Sequence, residues 1–152
     1  MKRILMFSVL LCMALTSKSQ TTNPLYDSTL AKNLGADDYG MKAYVFVILK
    51  TGTNKTTDRA IIDSCFRGHL KNIGRLVELG KLVVAGPFGK NENSFRGIFI
   101  LNVKTFEEAD QLLLTDPAIK EKLLEAELFH WYGSAALPEY LKVSDKIRKN
   151  TF

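Results

Sequence analysis

The stretch that decides the fold runs from Asp58 to Pro87, DRAIIDSCFRGHLKNIGRLVELGKLVVAGP. It reads as a helix, a glycine stop at Gly80, a short apolar strand over Leu82–Ala85 and a Gly86-Pro87 turn. Ile62, Cys65, Phe66, Ile73, Leu76 and Val77 recur at three- and four-residue steps and so share one helical stripe. His69 falls on that same stripe, which aims its imidazole at the core or at a cavity beside it. Burying such a group without a partner costs a few kcal/mol, so the sequence demands one.

Working outward, Lys42–Leu49, KAYVFVIL, is aromatic and β-branched and predicts a first strand buried on both faces. Thr51-Gly52-Thr53-Asn54 turns the chain into the helix, with Asp58 as its N-cap. Phe88–Ser94, FGKNENS, is a turn by composition, and Arg96–Val103, RGIFILNV, a third strand paired with the second. Thr105 and Glu108 stand at capping-box spacing and open a second helix. That helix must stop at Asp116-Pro117, because proline disfavours helical geometry in the residue before it. A short third helix over Ala118–Leu124, a fourth strand over Glu127–Tyr132 and a stop at Gly133 complete the pattern.

Strand, helix, strand, strand, helix, strand predicts an α+β, ferredoxin-like βαββαβ sheet with both helices on one face. Tyr44, Phe46, Ile48, Phe99 and Leu101 are assigned to the uncovered face, and Ala43, Val45 and Val47 to the covered one. An apolar sheet face of that size is seldom left to water, which makes a homodimer the expected state. The expected division is a signal peptide over 1–19, a flexible N-terminal arm over 20–40, the domain over 41–133 and a C-terminal arm over 134–152.

The first residues read as an export signal. Lys2 and Arg3 precede an uncharged apolar run, Ile4–Leu15, and small residues Ser17 and Ser19 stand where a peptidase would cut before Gln20. The run is too short to span a bilayer stably. Lipidation at Cys12 is the weaker reading, since that cysteine lies inside the apolar run. The whole chain has 152 residues and a formal charge of +5. Without Lys2, Arg3 and Lys18 that falls to +2, and no clustered basic face with interleaved aromatics points to nucleic acid. Cys65 is then the one remaining cysteine, so no intramolecular disulfide can form.

FRGHLKNIGRLVELGKLVVAGPFG and RGIFILNVKTFEEADQLLLTDPAIKEKLLEAELFHWYGSAAL together resemble the YCII-related domain family, over about Tyr44 to Leu137. The helical His followed by GKLVVAGP, and the Asp-Pro step after the second helix, carry the resemblance. It implies a dimeric α+β barrel with a cavity in each subunit lined by a His and an Asp, which match His69 and Asp116. One branch resembles muconolactone isomerases and includes a dehydrochlorinase of a chlorinated hydroxyquinol, with the His-Asp pair proposed for acid–base chemistry. The sequence departs from many members in placing Phe66, not an arginine, three residues before the histidine.

A carboxylate on one ring nitrogen fixes the imidazole tautomer and leaves the other nitrogen as a general base, which suits proton abstraction beside a carbonyl, isomerisation or elimination. Read blandly, His69 is a hydrogen-bonded core histidine and Asp116 a turn-forming one. Arg96, Phe88 and Trp131 are the candidate substrate-binding residues: Arg96 could neutralise an anionic group and the two aromatics could line a pocket. His130 reads as edge or interface decoration. Cys65 reads as a small buried hydrophobe, with a nucleophile beside His69 as the sharper alternative. No metal-ligand spacing and no glycine-rich phosphate loop is present, so no cofactor is expected. The expectation is a cofactor-independent lyase or isomerase acting on a small cyclic or phenolic molecule. The alternative is a dimeric small-ligand-binding module with a structural His-Asp pair.

Overall fold

The computed structural model describes residues 23–144 and 146–149, and the expected signal peptide lies outside them. The order is α1 (Ser28–Leu34), β1 (Met41–Thr51), α2 (Arg59–Glu78), β2 (Leu82–Pro87), β3 (Phe95–Leu101), α3 (Phe106–Leu113), α4 (Pro117–Lys120) and β4 (Leu124–Ser134), followed by a 3-10 turn (Leu137–Tyr140) and α5 (Leu141–Ser144). The four strands form one antiparallel sheet in the order β2-β3-β1-β4. This is the α+β, ferredoxin-like arrangement.

Local chemistry sets the helix ends. Asp58 accepts hydrogen bonds from the backbone N–H groups of Ala60 (2.9 Å) and Ile61 (3.3 Å), satisfying two of the donors orphaned at the start of α2. Gly80, at φ 66, supplies the left-handed residue that lets the chain leave α2 and enter β2. Thr105 caps α3 through the Glu108 N–H, while the Glu108 carboxylate reaches back to the N–H of Lys104. The one-residue offset makes this a variant of the capping box.

The main core lies between the sheet and the helices. Val45, Val47 and Leu49 of β1, with Phe99 and Leu101 of β3, meet Cys65 and Leu76 of α2 and Ala109 and Leu113 of α3. This corrects the expected faces. Val47 pairs with Phe99 and Val45 with Leu101, so both β3 residues share the covered face, and Ile98 and Ile100 take the other. Cys65 is packed in this core.

Two further differences concern β4. The helix expected over Ala118–Leu124 is a single turn, because Leu124 is already paired with Thr51 at the start of β4. Gly133 continues the strand, opposite Lys42, and does not end it. A β-carbon on Gly133 would lie 2.3 Å from the Trp131 ring, so the missing side chain is what lets that indole lie along the sheet.

The face away from the helices is partly covered by the chain itself. Tyr44, Val83 and Ile100 form a second buried cluster on which Phe46, Val84 and Leu137 pack. The Tyr44 hydroxyl donates to the Ser134 carbonyl (2.8 Å) and that of Tyr140 to the Val83 carbonyl. Phe129 and Trp131 remain 42 % and 36 % exposed beyond this cover. The arm before β1 is held at the sheet edge, where Asp37 accepts from the Tyr132 hydroxyl and from the N–H groups of Tyr39 and Met41.

Candidate active site

The site is built where α2 passes the corner between α3 and α4. The chain leaves α3 through turns in which the N–H groups of Thr115 and Asp116 donate to the Leu112 and Leu113 carbonyls. Pro117 then sits at the first position of α4, and the preceding Asp116 is extended (φ −88°, ψ 119°), as the proline ring requires. Asp116 is the N-cap: its Oδ1 accepts from the Ala118 N–H at 2.9 Å. Its Oδ2 lies 2.6 Å from Nδ1 of His69, on the sheet-facing side of α2.

The Ala118 N–H makes Oδ1 an acceptor, and with Asp116 as the carboxylate the Oδ2 contact is one in which the imidazole donates from Nδ1. The Asp116 side chain is 1 % exposed and that of His69 12 %. The histidine Nε2 has no hydrogen-bond partner among the described residues, and since no side-chain nitrogen there is both buried and unpaired, it keeps its contact with water. Phe99 stacks on the imidazole (5.8 Å between centroids, 21° between planes), and Phe66 meets it edge-on at 6.1 Å.

The close approach of helix and corner rests on Gly68. A β-carbon there would stand 2.7 Å from Cγ of Pro117. Glycine costs a helix interior about 1 kcal/mol relative to alanine, and here it allows the neighbouring His69 and Asp116 to meet.

The other candidates divide. Register shifts between Leu49 and Lys50 as β1 pairs with β3, leaving Arg96 as the extra residue of a bulge. Its guanidinium carbon lies 5.9 Å from the centroid of Phe66, the ring that touches His69. Phe88 packs on Phe95, 5.8 Å between centroids, at the end of the β2–β3 hairpin. Trp131 is on the opposite face of the sheet, against Tyr44 at 5.5 Å, so within one chain it is not brought together with His69. His130 points to the helix side and stacks on Phe106 at 4.1 Å.

Phe66 and Phe99 flank the imidazole. A groove of about 460 Å³ opens on the outer side of α2, lined by Gly68, Lys71, Asn72, Arg75, Thr115 and Pro117 among others, and neither His69 nor Asp116 borders it. Asn72, Arg75 and Thr115 form a hydrogen-bonded network there that sequence reasoning missed. One signal was present, since Asn72 is a polar residue on the apolar stripe, seven positions after Cys65.

Among the described residues no three of His, Cys, Asp and Glu are grouped as a metal site, and no helix is long and apolar enough to cross a membrane. No family model matches the chain, and no curated protein does. Among solved structures, the chain is similar to a 5-chloro-2-hydroxyhydroquinone dehydrochlorinase from Burkholderia phenoliruptrix in complex with 2,5-dihydroxybenzoquinone. The identity is 20 % and the TM-score 0.42, over 57 % of this chain and 92 % of that one.

Proposed function

We propose that this protein belongs with the YCII-related proteins its sequence resembles, and that it is a cofactor-independent lyase or isomerase. His69 acts as general base and Asp116 as the group that orients it, on a small cyclic or phenolic substrate. The observation that carries this reading is the 2.6 Å contact from a buried carboxylate to His69 Nδ1, which leaves Nε2 with a lone pair, an outlet to water and no competing partner. The pair would remove a proton from a carbon next to a carbonyl, or from a phenolic hydroxyl. The bonding electrons would pass into an enolate or phenolate. The proton held on Nε2 then returns at another carbon in an isomerisation, or a leaving group departs with its electron pair in an elimination. Arg96, held against Phe66, supplies positive charge near the developing anion.

The half-exposed face bearing Phe129 and Trp131 is where a second copy would pack, giving a homodimer. Sedimentation at micromolar concentration tests this: a monomer in the native protein, or a dimer unaffected by Phe129→Lys, rules that interface out. Export follows from the basic and apolar character of the first nineteen residues, and the absence of the processed protein from an extracytoplasmic fraction would count against it.

One observation favours a second reading, a non-catalytic ligand-binding module. Asp116 already has a structural task as the cap of α4, and the flanks of His69 are filled by aromatic rings. His69→Asn separates the two. Chlorinated hydroxyhydroquinones and unsaturated lactones serve as probes, read by chloride release and ultraviolet absorbance. Turnover that disappears in a folded His69→Asn protein supports the enzyme; no turnover by the native protein, with a stability loss of ~1–3 kcal/mol in the variant, supports the module.

A further inference from the structure

The groove on the outer side of α2 is independent of the His69 reading. Its walls are one face of the helix, at Gly68, Lys71, Asn72 and Arg75, and the Thr115–Pro117 corner. Asn72 is 7 % exposed, and its Oδ1 accepts from Arg75 Nε at 3.1 Å and Arg75 Nη2 at 2.8 Å; Thr115 Oγ1 stands 3.1 Å from the same oxygen, with its one proton closer to the Leu112 carbonyl at 2.6 Å. The two guanidinium donors fix the orientation of the amide, so the Asn72 NH₂ group is turned away from them, and no hydrogen bond in the described residues uses it. Neither Lys71 nor Arg75 has a carboxylate within 4 Å among the described residues, and Nη1 of Arg75 carries no bond either. The arginine spends two of its nitrogens on an amide oxygen and a hydroxyl, which hold the guanidinium in place without neutralising it.

The groove therefore offers fixed or charged donors in excess, with Glu78 as the one acidic side chain along its lining. Gly68 and Gly74 keep it open, since neither projects a side chain. We propose that this groove is a binding site for a small oxyanion, a phosphate or carboxylate group, held by the ammonium of Lys71, the free Nη1 of Arg75 and the amide of Asn72. The donors come from positions i, i+1 and i+4 of α2, and all three residues line the same groove.

The test is a titration of the ¹⁵N-labelled protein with sodium phosphate and, separately, sodium acetate at constant ionic strength, with sodium chloride as the control. Saturable shifts confined to the amides of residues 68–75, 115 and 116 are expected with at least one of the two, and the comparison shows which oxyanion geometry is preferred. Lys71→Met and Arg75→Met should each weaken binding roughly tenfold or more. The Lys71 side chain makes no hydrogen bond or ion pair within the described residues, so its variant reads binding even where loss of Arg75 disturbs the fold. His69→Asn should bind as the native protein does, so the groove can stand or fall apart from the proposed chemistry. No saturable shift below roughly 50 mM overturns the proposal. So do shifts centred elsewhere, or binding unchanged in both charge variants.

Discussion

Gly68 and Pro117 face each other so closely that a β-carbon on the glycine would lie 2.7 Å from the proline ring. Each is the chain neighbour of one member of the His69–Asp116 pair. The distance between helix and corner is thus set by a residue with no side chain, and the 2.6 Å contact next door depends on it.

Enlarging Gly68 should drive the two elements apart. Alanine gains about 1 kcal/mol of helix propensity, which offsets part of an overpacking cost of about 1–3 kcal/mol, so Gly68→Ala should be mildly destabilising. Valine lacks that gain and adds two more methyl groups, and Gly68→Val should lose more than about 2 kcal/mol in urea unfolding. A Gly68→Val protein as stable as the native one would mean that the corner yields freely.

Asp116→Ala removes two things at once, the acceptor for His69 and the cap of α4. A charged hydrogen bond contributes about 1.5–3 kcal/mol and an N-cap about 1 kcal/mol, so a total loss of roughly 2–4 kcal/mol is expected. His69→Asn, which leaves the cap intact, should cost less. Equal losses in the two variants, measured by denaturant midpoint, would mean that the cap contributes nothing.

Gly133→Ala should displace the indole of Trp131, since the added carbon would stand 2.3 Å from it. The sequence has a single tryptophan, so its fluorescence reports this position alone. A shifted emission maximum and a stability loss of about 1–3 kcal/mol are expected. An unchanged spectrum would show that the ring already samples another rotamer.

The link between Asp37 and Tyr132 should give the N-terminal arm a pH window. The tyrosine hydroxyl, foremost, and the Met41 amide hold the Asp37 carboxyl below its ordinary 3.8, while the same bond to Asp37 pushes the Tyr132 hydroxyl above its ordinary 10.0. The depressed acid contributes fully above its unfolded pKa and is lost as pH falls through the lower folded value. The raised phenol contributes below its unfolded pKa and is lost as pH rises through the higher folded one. Protection of the α1 amides, taken relative to the intrinsic exchange rate at each pH, should therefore hold between these limits and fall beyond either. Tyr132→Phe should lower it at neutral pH, and arm exchange indifferent to that substitution would show the clip to be idle.

Much of this architecture was legible in the residues. Asp58, Gly80, Thr105 and the Asp116-Pro117 step carry their chemistry locally, so the helix boundaries near them could be read off directly. Which face Phe99 and Leu101 occupy could not, because alternation within a strand leaves its phase open until pairing across to Val45 and Val47 fixes it. Gly133 looked like a stop, and only the neighbouring indole explains why the strand continues through it. His69 announced its need for a partner from its place on an apolar stripe. The bonds among Asn72, Arg75 and Thr115 join residues up to 43 positions apart, and no spacing rule reaches that far.

Three successive residues at the corner face opposite ways. Thr115 and Pro117 border the outer groove, while Asp116 turns inward to His69. Asp116 is thereby anchored from both sides, by the Arg75 bond to the Thr115 hydroxyl before it and by the proline ring against Gly68 after it, so a buried carboxylate keeps its aim although it sits on a two-helix corner with no strand to brace it.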